Sequence, residues 1–202
     1  QLYKGLDIGV AKLPEEILET FPHKLINTIE QDKQVNSQDV ALQLLEKTNN
    51  SLKKGEIPIW VGGSITLLWY FLDDKYLKKA TEKRIPNSFS FQIYTPKYGT
   101  RKELYKKIED NVESMFNLGL YSEFRNYRNK YSHVMHTIIG YKEFFEYSAH
   151  YNKNIENLGK ADLGKIAWRI KKNSKKLALN QINALKKMRD VKSINGVSEI
   201  EI

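Results

Sequence analysis

Cysteine is absent from this 202-residue chain. That excludes a disulfide framework and any thiolate metal site. Histidine is scarce, and the four present show no metal-ligand spacing. No apolar run is long enough to span a bilayer, and no signal peptide is visible. A cytoplasmic protein without a membrane partner is therefore expected. Internal repeats and low-complexity tracts are missing too. So is an initiator methionine: the chain opens on Gln1 and runs straight into Leu2-Tyr3-Lys4-Gly5-Leu6-Asp7-Ile8-Gly9, as the inside of a longer protein would.

What is present suffices for a core, with 41% hydrophobic residues in a length that suits one large domain or a domain with a small appendage. The net charge of +9 is concentrated. Between Lys160 and Lys192 eleven Lys or Arg face only Asp162 and Asp190, an excess equal to that of the whole chain. Such a segment suits a polyanion partner. It equally suits a solvated helix face.

The chain is organised around Ile57-Pro58-Ile59-Trp60-Val61-Gly62-Gly63-Ser64. An apolar run interrupted only by Pro58 reads as a parallel strand buried on both faces. Ser64 then caps a helix over the apolar residues from Ile65, continuing to about Tyr76. In α/β sheets the ligand crevice lies at the carboxyl ends of strands. Gly62 and Gly63 allow close approach there, and the helix start offers N–H groups to an anion. The same residues also fit an ordinary strand-to-helix turn.

Taken in order, Gln1 to Lys12 reads as a loop that shapes a site. A short helix follows Pro14 to Thr20, with Glu15 and Glu16 favouring its N-terminal dipole. Phe21-Pro22-His23-Lys24 ends it, and His23 suits either a ligand contact or a structural place. Asn36 or Ser37 caps a helix to Lys54, with Val40, Ala41, Leu44, Leu45, Thr48 and Leu52 on one side and Gly55 as its stop. Alternation through Phe89, Phe91 and Ile93 marks a second strand. Thr100 to Glu103 fits a capping box before a stripe of Leu104, Ile108, Val112, Met115 and Phe116. Gly119 stops that helix, and another spans about Tyr121 to Lys130. A turn from Thr137 opens onto a helix over Tyr141 to Tyr147. A long helix runs from Ala161 to about Met188, with Leu163, Ile166, Ile170, Leu177, Ile182 and Leu185 toward the core. Val197, Ile200 and Ile202 alternate as a weak strand.

Five of these stretches together resemble the tRNA dimethylallyltransferase (tRNA isopentenyltransferase) family. Gln1 to Lys12 is similar to Q-V-Y-[RK]-G-[ML]-D-I-G-T-A-K, and Pro22-His23 to P-H-H. Val61-Gly62-Gly63-Ser64 is similar to V-G-G-T. Arg101-Lys102-Glu103-Leu104-Tyr105 with Ile108, Met115, Gly119-Leu120 and Glu123 is similar to R-x-x-L-Y-x-R-I…M…G-L…E. Ile139-Gly140-Tyr141-Lys142-Glu143 is similar to I-G-Y-K-E. The pieces keep their order and nearly their spacing across most of the chain.

The resemblance implies a P-loop-NTPase-like parallel sheet flanked by helices. Residues 1–95 would be the remainder of a nucleotide-kinase-like core, and residues 96–202 a helical, basic C-terminal part of one partial α/β domain. It implies transfer of a dimethylallyl group from its diphosphate to the exocyclic amine of the adenine beside a tRNA anticodon. An aromatic amine needs a carboxylate to accept its proton. The leaving diphosphate needs cations, Mg²⁺ and N–H groups. The adenine must leave its stack.

By the same resemblance Gln1 would contact the target base of tRNA, and Ser64, standing where the family has threonine, would face tRNA or the diphosphate. Arg101 would hold the diphosphate. Thr137, Ile138, Ile139, Gly140, Tyr141 and Lys142 would touch tRNA. Lys12, Gly62, Gly63, Lys176, Gln181 and Lys186 are further diphosphate or RNA contacts. No protein metal ligand is expected, and a monomer is expected.

The departures from the pattern shape a further expectation. The phosphate loop G-x-T-x-[SA]-G-K-[ST] and the aspartate of D-S-x-Q, the general base, are not among these residues. Asp73 to Ser88 is too short for the family's helical insertion. Val10 replaces a threonine and Asn111 an arginine, and Ser174 to Lys186 keeps mainly the basic character of T-R-R-x-A-K-R-Q-x-T-W-F-R. The isolated chain is thus expected not to catalyse prenyl transfer. A non-catalytic basic RNA-binding module, and an adenylate isopentenyltransferase acting on free nucleotides, are the alternatives.

Overall fold

A computed structural model of the chain describes residues 1–30, 33, 35–72, 93–97, 99–192 and 197–201. The chain divides into two compact units, each built from two pieces of sequence. The first unit joins residues 1–34 to 99–177, and the second joins 35–98 to 178–202. Helices dominate, with one parallel strand pair among the described residues. The architecture is thus a helix-rich α/β one.

The first unit begins with an irregular stretch, as the mix of glycine, acid and apolar residues suggests. Its regular feature is a single parallel bridge between Tyr3 and Ile29. Helix α1 (Glu15–Thr20) starts directly after Pro14 and has two acids in its first turn. Helix α4 (Arg101–Asn117) carries the expected capping box. Thr100 accepts from the Glu103 N–H, and the Glu103 side chain accepts from the Thr100 N–H. Gly119, at φ 99°, turns the chain into α5 (Leu120–Tyr127). That helix stops short of Lys130, and a one-turn helix α6 (Ser132–Met135) follows. Helix α7 (Lys142–Tyr151) ends on Asn152 in the left-handed conformation. Helix α8 (Lys160–Lys192) starts in this unit.

These helices enclose one aromatic-rich core. Phe124 and Phe144 stack with ring centroids 4.5 Å apart. Leu120, Tyr131, Met135, Tyr141, Tyr147, Ile166 and Ile170 are buried around them. Leu177 was expected in this core, yet it is 45% exposed. It lies one heptad beyond Ile170, where the cluster that covers Ile166 and Ile170 has ended.

In the second unit α2 (Ser37–Lys53) is capped by Asn36, whose side chain accepts from the Asp39 N–H. Ala41, Leu45 and Thr48 form its buried line. Gly55, at φ 75°, turns the chain beyond it. Helix α3 is Ile65–Leu72; its expected continuation to Tyr76 lies outside the described residues. Strands β1 (Ile93–Lys97) and β2 (Val197–Glu201) pair in parallel, Ile93 opposite Val197 and Lys97 opposite Glu201. Pro96 fits because a proline is tolerated on an edge strand. The tail strand is therefore present, and Phe89 and Phe91 lie outside the described residues.

One expectation is corrected here. Ile57 to Val61 forms neither a regular strand nor a doubly buried one. Ile57, Ile59 and Val61 are 89%, 81% and 82% exposed. Pro58 and Trp60 alternate with them and are half-buried. Trp60 Nε1 donates to Thr48 Oγ1 of α2 at 2.8 Å. An unbroken apolar run implies two covered faces, and among the described residues only the Pro58–Trp60 face meets protein.

Candidate functional site

Two carboxylates at the heart of the first unit organise its candidate site. Glu123 lies in the first turn of α5 between the buried Leu120 and Phe124. Helical spacing therefore points it inward. Its Oε2 accepts from the N–H groups of Asp7 and Ile8, both at 2.8 Å. Its Oε1 accepts from the Gly9 N–H at 2.9 Å and from the Tyr141 hydroxyl at 2.6 Å. Three successive N–H groups converging on an anion form a nest. Here the anion is a side chain of the chain itself. Burial, and then the Glu123 carboxylate, push the Tyr141 phenol far above its ordinary value.

Close packing completes this junction. A Cβ on Gly9 would stand 2.3 Å from the Tyr141 ring. Gly140 is at φ 110°, and a Cβ there would stand 3.0 Å from the Gly9 carbonyl oxygen. The second carboxylate, Glu143, is fully buried. Its two oxygens accept from the Gly140 N–H and the Asn173 side chain, each at 2.8 Å. Thus the loop of residues 7–9 and the turn of residues 137–143 are held against each other by α5, α7 and α8.

Lys12 is the pinned cation of the loop. Its ammonium donates to Tyr3 O at 2.9 Å, Asp7 Oδ1 at 2.5 Å and Asn27 Oδ1 at 2.7 Å. All three of its protons have partners, and its side chain is 3% exposed. The structure therefore gives it a scaffolding place rather than a free ammonium. Gln1 Nε2 donates to Ala11 O at 3.1 Å and remains exposed. An open pocket of about 610 Å³ lies beside this loop. Asp7, Lys12 and Asn27 meet it from the loop side, and Asn111, Ser114 and Met115 of α4 from the other.

The remaining expected residues fall as follows. Arg101, the first residue of α4, is exposed and forms no hydrogen bond or ion pair among the described residues. Thr137 is exposed, and its hydroxyl donates to Val134 O at 2.7 Å. Ile138 and Ile139 are half-buried against the core. Lys142 pairs loosely with Glu146 at 3.8 Å. Lys176 is exposed. His23 is exposed, with Nδ1 2.5 Å from Phe21 O.

The second unit holds its own group. Ser64 accepts from the Leu67 N–H at 3.4 Å, as a helix cap. Gln181 Nε2 donates to Gly63 O at 2.6 Å. The glycine turn and the basic C-terminal segment therefore meet at Gly63. Gly62 is open, and Lys186 is exposed.

Glu123, Glu143 and Asn173 hold the candidate site together, and sequence reasoning assigned them no role. The signal was a lone acid on an apolar helical line: Glu123 beside Leu120 and Phe124, Glu143 beside Phe144 and Tyr147. Among the described residues no three His, Asp or Glu side chains gather to hold a metal, and no helix is long and apolar enough to cross a membrane.

Comparison with known proteins gives a consistent outcome. A family model described as IPP transferase matches residues 1–88 and 67–188. The tRNA dimethylallyltransferase of Oenococcus oeni is 29% identical over 197 residues, which is 92% of this chain and 72% of that one. That of a Thermoanaerobacter species is 31% identical over 120 residues, 55% of this chain and 38% of the other. Among solved structures, the tRNA delta(2)-isopentenylpyrophosphate transferase of Staphylococcus epidermidis shares the fold. The TM-score is 0.69 at 19% identity, over 100% of this chain and 82% of that one. The full-length tRNA isopentenylpyrophosphate transferase of Bacillus halodurans gives 0.54 at 19% identity, over 100% and 78%.

Proposed function

The chain belongs to the IPP transferase family, and from that membership we propose that it acts as a tRNA dimethylallyltransferase. In this reading the C–O bond between a dimethylallyl group and its diphosphate breaks. A C–N bond forms to the exocyclic amine of the adenine beside the anticodon, and the amine proton passes to a base. The underlying core is of the P-loop type, and the protein works as a cytoplasmic monomer on tRNA and dimethylallyl diphosphate.

One observation carries the reading. Three stretches that resemble the family, far apart in sequence, converge on Glu123. That carboxylate binds Asp7, Ile8 and Gly9 from the first stretch and Tyr141 from the last, and it is itself part of the middle one. Within the turn of residues 137–142 that this junction holds, Thr137 is exposed and Lys142 half-buried, and these are the side chains through which the turn would meet RNA. Gly62, Gly63 and Ser64, with Gln181, form the corresponding group of the second unit. Arg101 has no competing ion pair among the described residues and is the cation we assign to the diphosphate.

Mg²⁺ would add charge neutralisation at the leaving group. The described residues do not fit a protein-built site for it, since no three carboxylate or imidazole groups gather. Residues 1–202 also contain neither a G-x-T-x-[SA]-G-K-[ST] loop nor the D-S-x-Q aspartate. A polypeptide of these residues alone is therefore proposed to hold tRNA without completing the transfer.

The test combines binding and turnover. Residues 1–202 should bind labelled tRNA with an affinity that falls steeply as salt rises, and AMP should not compete. Radiolabelled dimethylallyl diphosphate with Mg²⁺ should leave both acceptors unlabelled. No tRNA affinity at low salt would overturn the tRNA reading. Label on AMP would replace it with the free-nucleotide alternative.

A further inference from the structure

The cations of α8 within the first unit divide between two faces. Lys171 and Lys175 turn onto α4, where Lys171 meets Glu113 at 2.7 Å and Lys175 meets Glu109. Lys165, Arg169, Lys172 and Lys176 lie within about 60° of arc on a different line. None of these four forms an ion pair among the described residues. Lys165, Arg169 and Lys172 lie instead over aromatic rings, and Lys176 is exposed. Lys165 and Arg169 each stand 5.6 Å from the Tyr151 ring centroid. Lys172 stands 5.2 Å from that of Trp168.

Trp168 itself is 61% exposed and Tyr151 45% exposed. No ring packs on Trp168 among the described residues. Most of the indole stands in water. It offers a flat π-face beside a row of cations. The acids nearby are already matched: Asp162 accepts from Tyr147 and lies 3.9 Å from Lys153.

We propose that this outer stripe of α8, with Trp168 at its edge beside Lys172, binds an unpaired stretch of RNA. The indole stacks on a base, and Lys165, Arg169, Lys172 and Lys176 hold consecutive phosphates. The inference rests on the tRNA reading above and joins Lys176, already an expected RNA contact, to Lys165, Trp168, Arg169 and Lys172, which lie outside the stretches that carry the family resemblance. Charge complementarity selects a polyanion. The exposed aromatic selects single strand over duplex, because a duplex hides its base faces while an extended strand presents them.

The test is fluorescence anisotropy of the 202-residue chain with a labelled short oligouridylate, a labelled RNA duplex and labelled tRNA. Trp168→Ala should weaken oligouridylate binding roughly ten-fold. Trp168→Phe should recover most of it, and duplex binding should hardly change. Lys165→Gln, Lys172→Gln and Lys176→Gln should each flatten the salt dependence by about 0.7 in slope. Lys106→Gln, the same charge change on α4, should not alter it. Binding of oligouridylate by Trp168→Ala equal to the parent's overturns the stacking surface. So does an equal loss in Lys106→Gln, which would mean that only net charge matters. A parent that holds tRNA while every stripe variant matches it overturns the stripe and leaves the tRNA reading standing. A parent without affinity for any of the three RNAs overturns both.

Discussion

The Tyr141 hydroxyl donates to the Glu123 carboxylate at 2.6 Å, and the two residues are buried together. Their bond ties a turn near the middle of the chain to a loop at its start, because the same carboxylate also receives three N–H groups from residues 7–9.

Glu123→Ala should destabilise the protein by about 3 kcal/mol or more, since it strands several buried donors at once. Glu123→Gln should be milder, as one oxygen still accepts. Urea denaturation followed by circular dichroism measures both. An alanine variant as stable as the parent would show that the carboxylate is not the junction.

Tyr141 gives the protein an alkaline limit. Its folded phenol is held protonated well above the ordinary value of 10.0, chiefly by burial. Tyr147 is pushed up to about 12, chiefly by donating to Asp162. The unfolded chain releases both protons near pH 10, while the folded one keeps them. Their contribution is therefore complete below pH 10 and declines above it, for Tyr147 through about pH 12. Melting temperature against pH should fall less steeply above pH 10 in Tyr141→Phe than in the parent. Parallel curves would contradict the shift.

Gly9→Ala should disrupt the first unit, because the added Cβ would stand 2.3 Å from a ring carbon of Tyr141. The clash is with the ring and not only with the hydroxyl. Tyr141→Phe should therefore fail to rescue Gly9→Ala, whereas Tyr141→Leu should rescue it in part. Thermal melts of the single and double variants decide this. Gly62→Ala, which meets nothing within 4 Å, is the matched control.

Lys12→Met should cost about 1–3 kcal/mol, since it removes the common donor of Tyr3, Asp7 and Asn27. A methionine variant with unchanged denaturation midpoint would free this lysine for a ligand instead.

Much of the helical frame was legible in the sequence, because its signals are local. Thr100 and Glu103 announce a capping box and Gly119 a helix stop, and both are found; of Asn36 and Ser37, the two candidate caps, Asn36 is the one. The long basic helix follows from its periodicity. The strand at Ile57 to Val61 was misread because a run of apolar side chains records hydrophobicity but not which neighbours arrive to cover it. Leu177 was misplaced for a similar reason: a heptad line does not say where the core beneath it stops. The family was legible as motifs, yet the atoms that organise the candidate site were not. That Glu123 receives Asp7, Ile8 and Gly9 depends on contacts between residues more than a hundred positions apart, and its bond from Tyr141 spans 18, which no local pattern encodes. Its placement between Leu120 and Phe124 was the available clue.

The first unit is split in sequence, and this sets an order in time. Asp7 and its acceptor Glu123 are 116 residues apart, so at about 5–20 residues per second of synthesis the acceptor is made on the order of ten seconds later. Until then the N–H groups of residues 7–9 have only water to bond. Asn173, which steadies Glu143, is made later still. The first unit therefore closes only when most of the chain is already made. In a growing polypeptide, the loop of residues 7–9 stays in reach of chaperones and proteases until Glu123 has been made.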